Sequence, residues 1–299
     1  MGTTTTTRVT PGRSVDPQRP EETGARPGAS RVESNPMRLV RVSIIVPTYC
    51  EADNLRPLCE RVFNATRAAG IDAELIVVDD DSPDATADVV AALAGRYCIR
   101  LVTRRGERGL SSAVIRGFDE SDRDVLVCMD ADLSHPPEKL LDVIAPVARN
   151  ETDFCIGSRY VAGGRTSDDW GFLRKLNSKV ATWLARPLMS ACDPMAGFFC
   201  IRRETFESAR RNGMRAIGYK IGLEICVRSG CRRIREIPIH FVDRHVGTSK
   251  LTARQQLLYL KQLVHLFLAR RPAFLFSVFA LVAVCCGWAV LQFAGLFIQ

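Results

Sequence analysis

Asp130 and Asp132 stand one residue apart, directly after the apolar run Val125–Met129. Two carboxylates at a strand end can approach one divalent ion together. Mg²⁺ or Mn²⁺ takes such oxygen ligands and keeps phosphate oxygens in its shell. A nucleotide diphosphate leaving group needs that neutralisation. A solvated turn explains the same pair as well, since Asp is common in turns. In Pro47-Thr48-Tyr49-Cys50-Glu51, Tyr49 offers a flat face for a base and Glu51 an acceptor for base or ribose groups; an ordinary strand-to-helix loop is the alternative. Asp79, Asp80, Asp81 and Asp84 follow Val78 and repel one another unless a cation or hydroxyl donors relieve them. Ser82 or Asp84 also suits a helix cap. Arg159 precedes Gly163-Gly164, and Arg244 and Lys250 bracket Gly247-Thr248-Ser249. Arg suits bidentate phosphate contact and Lys a point charge. Arg174, Lys175 and Lys179 lie on a predicted helix, as contacts for an anionic acceptor or as a solvated face.

Other chemistries lack support. The four His show no metal-ligand spacing, although His135 and His245 lie near these motifs. No dinucleotide fingerprint, phosphate-binding loop of the G-x-x-x-x-G-K type or serine nucleophile elbow occurs, so hydride transfer, ATP hydrolysis and serine hydrolysis have no basis. The eleven cysteines are scattered without a C-x-x-C pair, which fits buried thiols in a reducing compartment.

These residues fall at the ends of apolar runs. Strands are predicted at Val42–Val46, Leu75–Val78, Ile99–Thr103, Val125–Met129 and Phe154–Gly157. Helices are predicted at Asp53–Ala69 (Asp53 as N-cap), Thr86–Leu93, Leu110–Phe118 and Pro136–Val147. Alternating strands and helices give a doubly wound, mostly parallel sheet, with ligands beyond the carboxyl ends of its strands. Tyr49, Asp80 and Asp130 belong there. Farther on, Phe172–Met189 and Lys220–Arg228 read as helices, Phe198–Ile201 and Arg235–Phe241 as strands.

Charge locates a partner. Residues 1–40 hold six Arg against four acids, and residues 244–271 hold six basic residues and no acid. The body, 41–243, is balanced, with 29 of each sign. A nucleic-acid binder would spread basic charge over its working face; here the excess lies beside the most apolar part of the chain, which points to a membrane surface. Residues 1–36, with a polar Thr-rich start unlike a signal peptide, are expected to be a disordered tail. Ala253–Arg271 carries Leu257, Leu260, Val264 and Leu268 at helical spacing, widened by Leu258, Leu263, Leu266 and Phe267, as in an interfacial helix. Ala273–Gln299 has no charged residue and is long enough to span a bilayer. Its basic flank places the body in the cytoplasm.

Taken in order, Pro47–Glu51, Val77–Thr86, Asp130–Glu138, Gly157–Tyr160, Gly218-Tyr219-Lys220 and Arg244…Lys250 resemble the dolichyl-phosphate (polyprenyl-phosphate) mannosyltransferases, inverting family-2 glycosyltransferases of the GT-A fold. The resemblance runs from about Val42 to Leu251. It implies a GT-A domain over 37–250, and the apolar pattern beyond it sets an interfacial amphipathic helix over 251–271 and one transmembrane helix over 272–299. It implies that Pro47, Tyr49, Glu51, Val78 and Asp80 hold the nucleoside. Asp130, Ala131 and Asp132 match the metal–diphosphate segment, with Mg²⁺ or Mn²⁺ on the two carboxylates. Arg159, Arg244 and Lys250 match positions near the diphosphate and the transferred sugar. Arg159, Arg174 and Lys179 correspond to acceptor-phosphate contacts. The implied activity moves one hexose, mannose from GDP-mannose, to a polyprenyl monophosphate with inversion. A UDP-glucose donor, or a membrane-tethered sugar-nucleotide binder without activity, are the alternatives. A membrane subunit or a homo-oligomer is a further possible partner.

Some positions depart from the family pattern. Cys50 replaces the usual Asn, Asp81 an Asn or Gly, Ala85 a Gly, Ala196 a frequent Ser, and Thr248 a Glu. Ser134 replaces a Gln found in some members, which puts a third side-chain metal ligand in doubt.

Overall fold

In a computed structural model of the chain, residues 40–166, 172–242, 253–274, 276, 277 and 284 are described, residues 172–175 by their backbone alone. The expected tail over 1–36, the side chain of Arg174, Arg244 and Lys250, and most of the expected span over 272–299 lie outside the described residues. Among the described residues no helix is long and apolar enough to cross a membrane.

Elements alternate through the first half: β1 (Arg41–Thr48), α1 (Ala52–Ala68), β2 (Asp72–Asp79), α2 (Thr86–Ala94), β3 (Ile99–Thr103), α3 (Leu110–Glu120), β4 (Val125–Cys128), α4 (Leu140–Ala148) and β5 (Phe154–Ser158). The second half adds β6 (Arg165–Thr166), α5 (Phe172–Ala185), β7 (Phe199–Arg202), α6 (Arg203–Arg211), α7 (Ile221–Ser229), β8 (Ile234–Pro238), β9 (His240–Phe241) and α8 (Ala253–Arg270). Seven strands form one sheet in the order β3-β2-β1-β4-β7-β5-β8, and β6 pairs with β9 apart from it. Every neighbour in the large sheet is parallel except β7, which runs antiparallel between β4 and β5. The expected mostly parallel sheet is thus present. The segment read as one strand over Arg235–Phe241 is split between two sheets at Ile239.

Both sheet faces are buried. Val42, Ile44 and Val46 of β1 pack under α1, α2 and α4, while Ile45 joins the core under α3, α5, α6, α7 and α8. Double burial explains why the strands read as continuous apolar runs rather than alternating ones. The packing is close: a Cβ on Gly117 of α3 would lie 2.5 Å from Ile45 Cγ2. Pro136, predicted inside a helix, instead precedes a 3₁₀ turn over Pro137–Lys139 that leads into α4.

Helix α8 has two apolar faces. Tyr259, Leu263, Leu266 and Phe267 are buried in the core it shares with α7. Each such side chain contributes about 1.5–3 kcal/mol on burial. Leu257, Leu260, Val264 and Leu268 face outward, at 39–67% exposure. Leu176, Val180 and Trp183 form a similar outward row on α5.

Candidate active site

The strand order reverses at β1, whose neighbours β2 and β4 lie on either side. In open α/β sheets that reversal opens a crevice beyond the carboxyl ends. Register brings the predicted residues to it. Thr48 pairs with Asp79, and Pro47 and Asp130 stand two residues beyond the Ile45–Cys128 pair. Cys50, Asp81 and Leu133, in the loops that leave β1, β2 and β4, all have left-handed backbone, at φ 57°, 55° and 60°. L-residues with a Cβ adopt that region at a cost of about 1–2 kcal/mol, which Gly, Asn and Asp largely escape. The departure at Cys50 therefore carries strain at the crevice rim, while Asp81 tolerates that backbone as Asn would.

The crowded carboxylates after β2 are relieved by donors within the protein. Ser82 donates its hydroxyl and its N–H to Asp79, and its Oγ accepts the Cys50 N–H at 2.8 Å, clipping the first two loops together. Asp84 accepts the N–H groups of Ala52 and Thr86, at 3.2 and 3.1 Å, and so serves the starts of α1 and α2. Glu51, rather than Asp53, takes the N-cap position of α1, and its carboxylate accepts Asn54 Nδ2 at 2.6 Å. Asp80 accepts Arg104 Nε at 2.8 Å and the Gly109 N–H at 2.9 Å. It thereby anchors the loop before α3. That loop lays the Arg108 guanidinium 4.1 Å from the centre of the Tyr49 ring, on the flat face expected to take a base. The Val78 side chain is buried in the core, so what it offers a ligand is main chain; Ala131 is likewise buried. Pro47 is half-buried at the end of β1.

At the end of β4, Asp132 is buried, and its Oδ1 accepts both the N–H and the hydroxyl of Ser134, at 3.1 and 2.5 Å. Ser134 thus orients a carboxylate where a longer side chain would reach farther. The Asp130 N–H donates to His135 Nδ1 at 3.0 Å, so the imidazole proton sits on Nε2, 3.8 Å from Asp130 Oδ2. Burial pushes the His135 pKa down, and the ring stacks on Phe198. The Asp130 side chain stays open to solvent, at 29% exposure. Among the described residues no three His, Cys, Asp or Glu side chains gather as a metal cluster.

Arg159 follows β5. Its Nε and Nη2 bind the two oxygens of Asp193 at 2.8 Å each, and its N–H adds a third bond at 3.1 Å. Asp193 is fully buried. Burial alone would raise its pKa, but the hydrogen bonds and charge of Arg159 hold it below the usual carboxylate range. Glu236 of β8 accepts the N–H groups of Cys192 and Asp193, at 2.7 and 3.0 Å. The turn Asp193–Gly197 forms the floor between β4 and β5: a Cβ on Gly197 would come within 3.6 Å of both Asp130 oxygens. A cleft of about 510 Å³ adjoins, bounded by Arg159, Tyr160, Gly164, Arg165, Thr166 and His240. Lys179 lies on α5 along a second groove of about 370 Å³, with Tyr160, Trp183 and Arg186.

Sequence reasoning did not single out Arg104, Arg108 or Asp193. The one signal was that Asp193 opens Asp193-Pro194-Met195-Ala196-Gly197, the segment in which Ala196 departs from the family pattern. Their partners are 24 to 59 residues away in the chain.

Residues 43–221 match Glycosyl transferase family 2. The chain is 42% identical over 231 residues to dolichol-phosphate mannosyltransferase of Pyrococcus furiosus, which covers 76% of this chain and 64% of that protein. It is 37% identical over 261 residues to dolichol-phosphate mannosyltransferase of Saccharomyces cerevisiae, covering 85% and 95%. The crystal structure of glucosyl-3-phosphoglycerate synthase from Mycobacterium tuberculosis in complex with Mn²⁺, UDP and glucosyl-3-phosphoglycerate superposes with a TM-score of 0.58 at 19% identity, over 82% of this chain and 85% of that one. That likeness speaks for the GT-A fold. The chain belongs to glycosyl transferase family 2, among its dolichol-phosphate mannosyltransferases.

Proposed function

We propose that the protein transfers one mannose from GDP-mannose to a polyprenyl monophosphate with inversion. The observation that carries this reading is the 37–42% identity to dolichol-phosphate mannosyltransferases. The crevice at the β1 reversal supports it. Pro47, Tyr49, Glu51, Val78 and Asp80 hold the nucleoside, with Asp80 acting partly through the loop it anchors. Arg159, Arg244 and Lys250 serve the diphosphate and the sugar, and Arg159, Arg174 and Lys179 the acceptor phosphate.

Asp130 and Asp132 fit Mg²⁺ or Mn²⁺: both are hard oxygen donors at one strand end, one held by Ser134 and the other partly open to solvent. Such an ion neutralises charge on the departing diphosphate. The acceptor phosphate is already an anion, so its attack needs no strong general base. What the protein supplies is alignment and fixed charge. Attack opposite the leaving group turns an α-linked donor into a β-linked lipid.

The outward rows on α8 and α5 suit lipid headgroups, and residues 272–299 would anchor the chain as a single span with the body in the cytoplasm. The test is transfer of label to the organic phase from membranes given Mg²⁺ or Mn²⁺, polyprenyl phosphate, and labelled GDP-mannose or UDP-glucose. Transfer from GDP-mannose alone is expected. Transfer from UDP-glucose alone overturns the donor. Nucleotide binding without any lipid product overturns the activity.

A further inference from the structure

Lys220 closes the Gly218-Tyr219-Lys220 motif but has no assigned role in the transfer. It holds the N-cap position of α7, and its Nζ donates to Met195 O at 2.6 Å, within the turn that floors the crevice. Its ammonium also lies 4.7 Å from the Tyr219 ring centre. Burial and the Arg159 charge push its pKa down to about 8, while Asp193 and Asp130 act to raise it. The groups that feel one another here are two cations and two anions. Arg159 is already matched by Asp193 through a bidentate pair. Asp130 is a carboxylate suited to a divalent ion. Lys220 makes no ion pair among the described residues, so with Asp130 so engaged it is the surplus positive charge of the floor.

The start of α7 packs on the buried face of α8, opposite the outward row of that helix. Buried Gln262 of α8 donates to Lys220 O at 3.0 Å, and Tyr259 of α8 donates its hydroxyl to Ala181 O of α5 at 2.7 Å. Helix α8 is therefore fastened to the backbone of Lys220 on one side and to α5 on the other. A phosphate monoester entering the crevice over the Asp193–Gly197 turn would meet a partly desolvated ammonium near Arg159. Charge-assisted hydrogen bonds to phosphate strengthen in such surroundings.

Resting on the mannosyl-transfer reading, we propose that Lys220 is a further catalytic residue, whose ammonium binds the phosphate of the polyprenyl acceptor beside Arg159 as that phosphate attacks the sugar. Gln262 holds the Lys220 backbone in place for this contact.

The test uses the full chain in detergent micelles. Binding of a short-chain polyprenyl phosphate is measured by calorimetry without donor, and GDP binding with Mn²⁺ in parallel. Loss of one charge-assisted contact predicts that Lys220→Met weakens acceptor binding about 10–100-fold and raises the acceptor KM in the same ratio. GDP affinity stays within about twofold, and Lys220→Arg recovers most of the loss. An equal loss for GDP would assign Lys220 to the donor diphosphate. Unchanged acceptor binding would leave it a structural hydrogen bond to Met195. Either result overturns the proposal. If Lys220→Met melts early, Lys220→Gln keeps a donor for Met195 O without the charge, and the same comparison decides. A parent chain that makes no mannosyl lipid would overturn the proposed activity, while the acceptor-binding comparison still judges Lys220.

Discussion

Replacing Asp193 by Asn removes one charge and almost no volume. The parent carboxylate is fully buried and binds the Arg159 guanidinium, itself 10% exposed, through two contacts of 2.8 Å. Taking one partner from a buried pair costs about 3–5 kcal/mol, because the other charge stays behind without compensation. Asn keeps one oxygen acceptor, so the lower figure applies. At about 2–4 °C per kcal/mol for a domain of this size, the melting temperature should fall by about 6–12 °C. The pH dependence adds a sign. The folded pKa of Asp193 lies below its unfolded value. Its stabilisation is therefore complete above the unfolded pKa of about 4 and is lost as pH falls through the folded value. The Asp193→Asn variant has no such stabilisation to lose, so the gap between parent and variant narrows in acid. The assay is thermal unfolding in detergent at neutral pH and at about pH 3–4, read by circular dichroism. A melting point within about 1–2 °C of the parent's at neutral pH, or a gap that widens on acidification, would refute the reasoning. A double change, Arg159→Met with Asp193→Leu, should return most of the stability but not transfer.

Other outcomes follow from the same geometry. Asp132→Ala should abolish label transfer while leaving the melting curve near the parent's; near-normal turnover would remove the metal assignment. Cys50→Asn relieves a left-handed residue at φ 57°. It should stabilise the protein by about 1 kcal/mol, seen as a small rise in melting temperature, and a fall would contradict the strain. Leu257→Ser with Leu260→Ser removes outward apolar surface from α8. In a chain truncated after Arg271, the two substitutions should weaken flotation with vesicles while GDP affinity holds, and flotation unchanged by them would show that this row does not meet lipid.

Much of the fold is legible because both sheet faces are buried, which writes β1, β2, β4 and β5 as apolar runs. Strand β7 is equally apolar, but no run of residues states its direction or its neighbours. Its insertion between β4 and β5 could be seen only in three dimensions. Helix α6 escaped notice because Phe206 and Ala209 are its buried residues in an otherwise polar Arg203–Arg211. At the site, the residue types at strand ends announced themselves, while the partners that fix their state did not. Asp80 read as a nucleoside contact, and its hold on Arg104 and Gly109 depends on a loop that folds back from β3. Arg159 read as a phosphate ligand, and Asp193, which takes two of its nitrogens, lies 34 residues on. The two rows of α8 merged in sequence into one wide stripe. Only the packing on α7 shows which row the protein keeps for itself.

The reversed direction of β7 also sets a ruler. A parallel strand would present its trailing end at the crevice, followed by a loop of arbitrary length. An antiparallel one presents its leading end, so the Asp193–Gly197 turn is pulled tight against the sheet. The strands that bear Asp130 and Arg159 are then held two strand spacings apart, about 10 Å. Neither residue can shift toward the other unless β7 leaves its place between β4 and β5, so the distance from the metal-suited carboxylate to the guanidinium is a property of the sheet rather than of a loop.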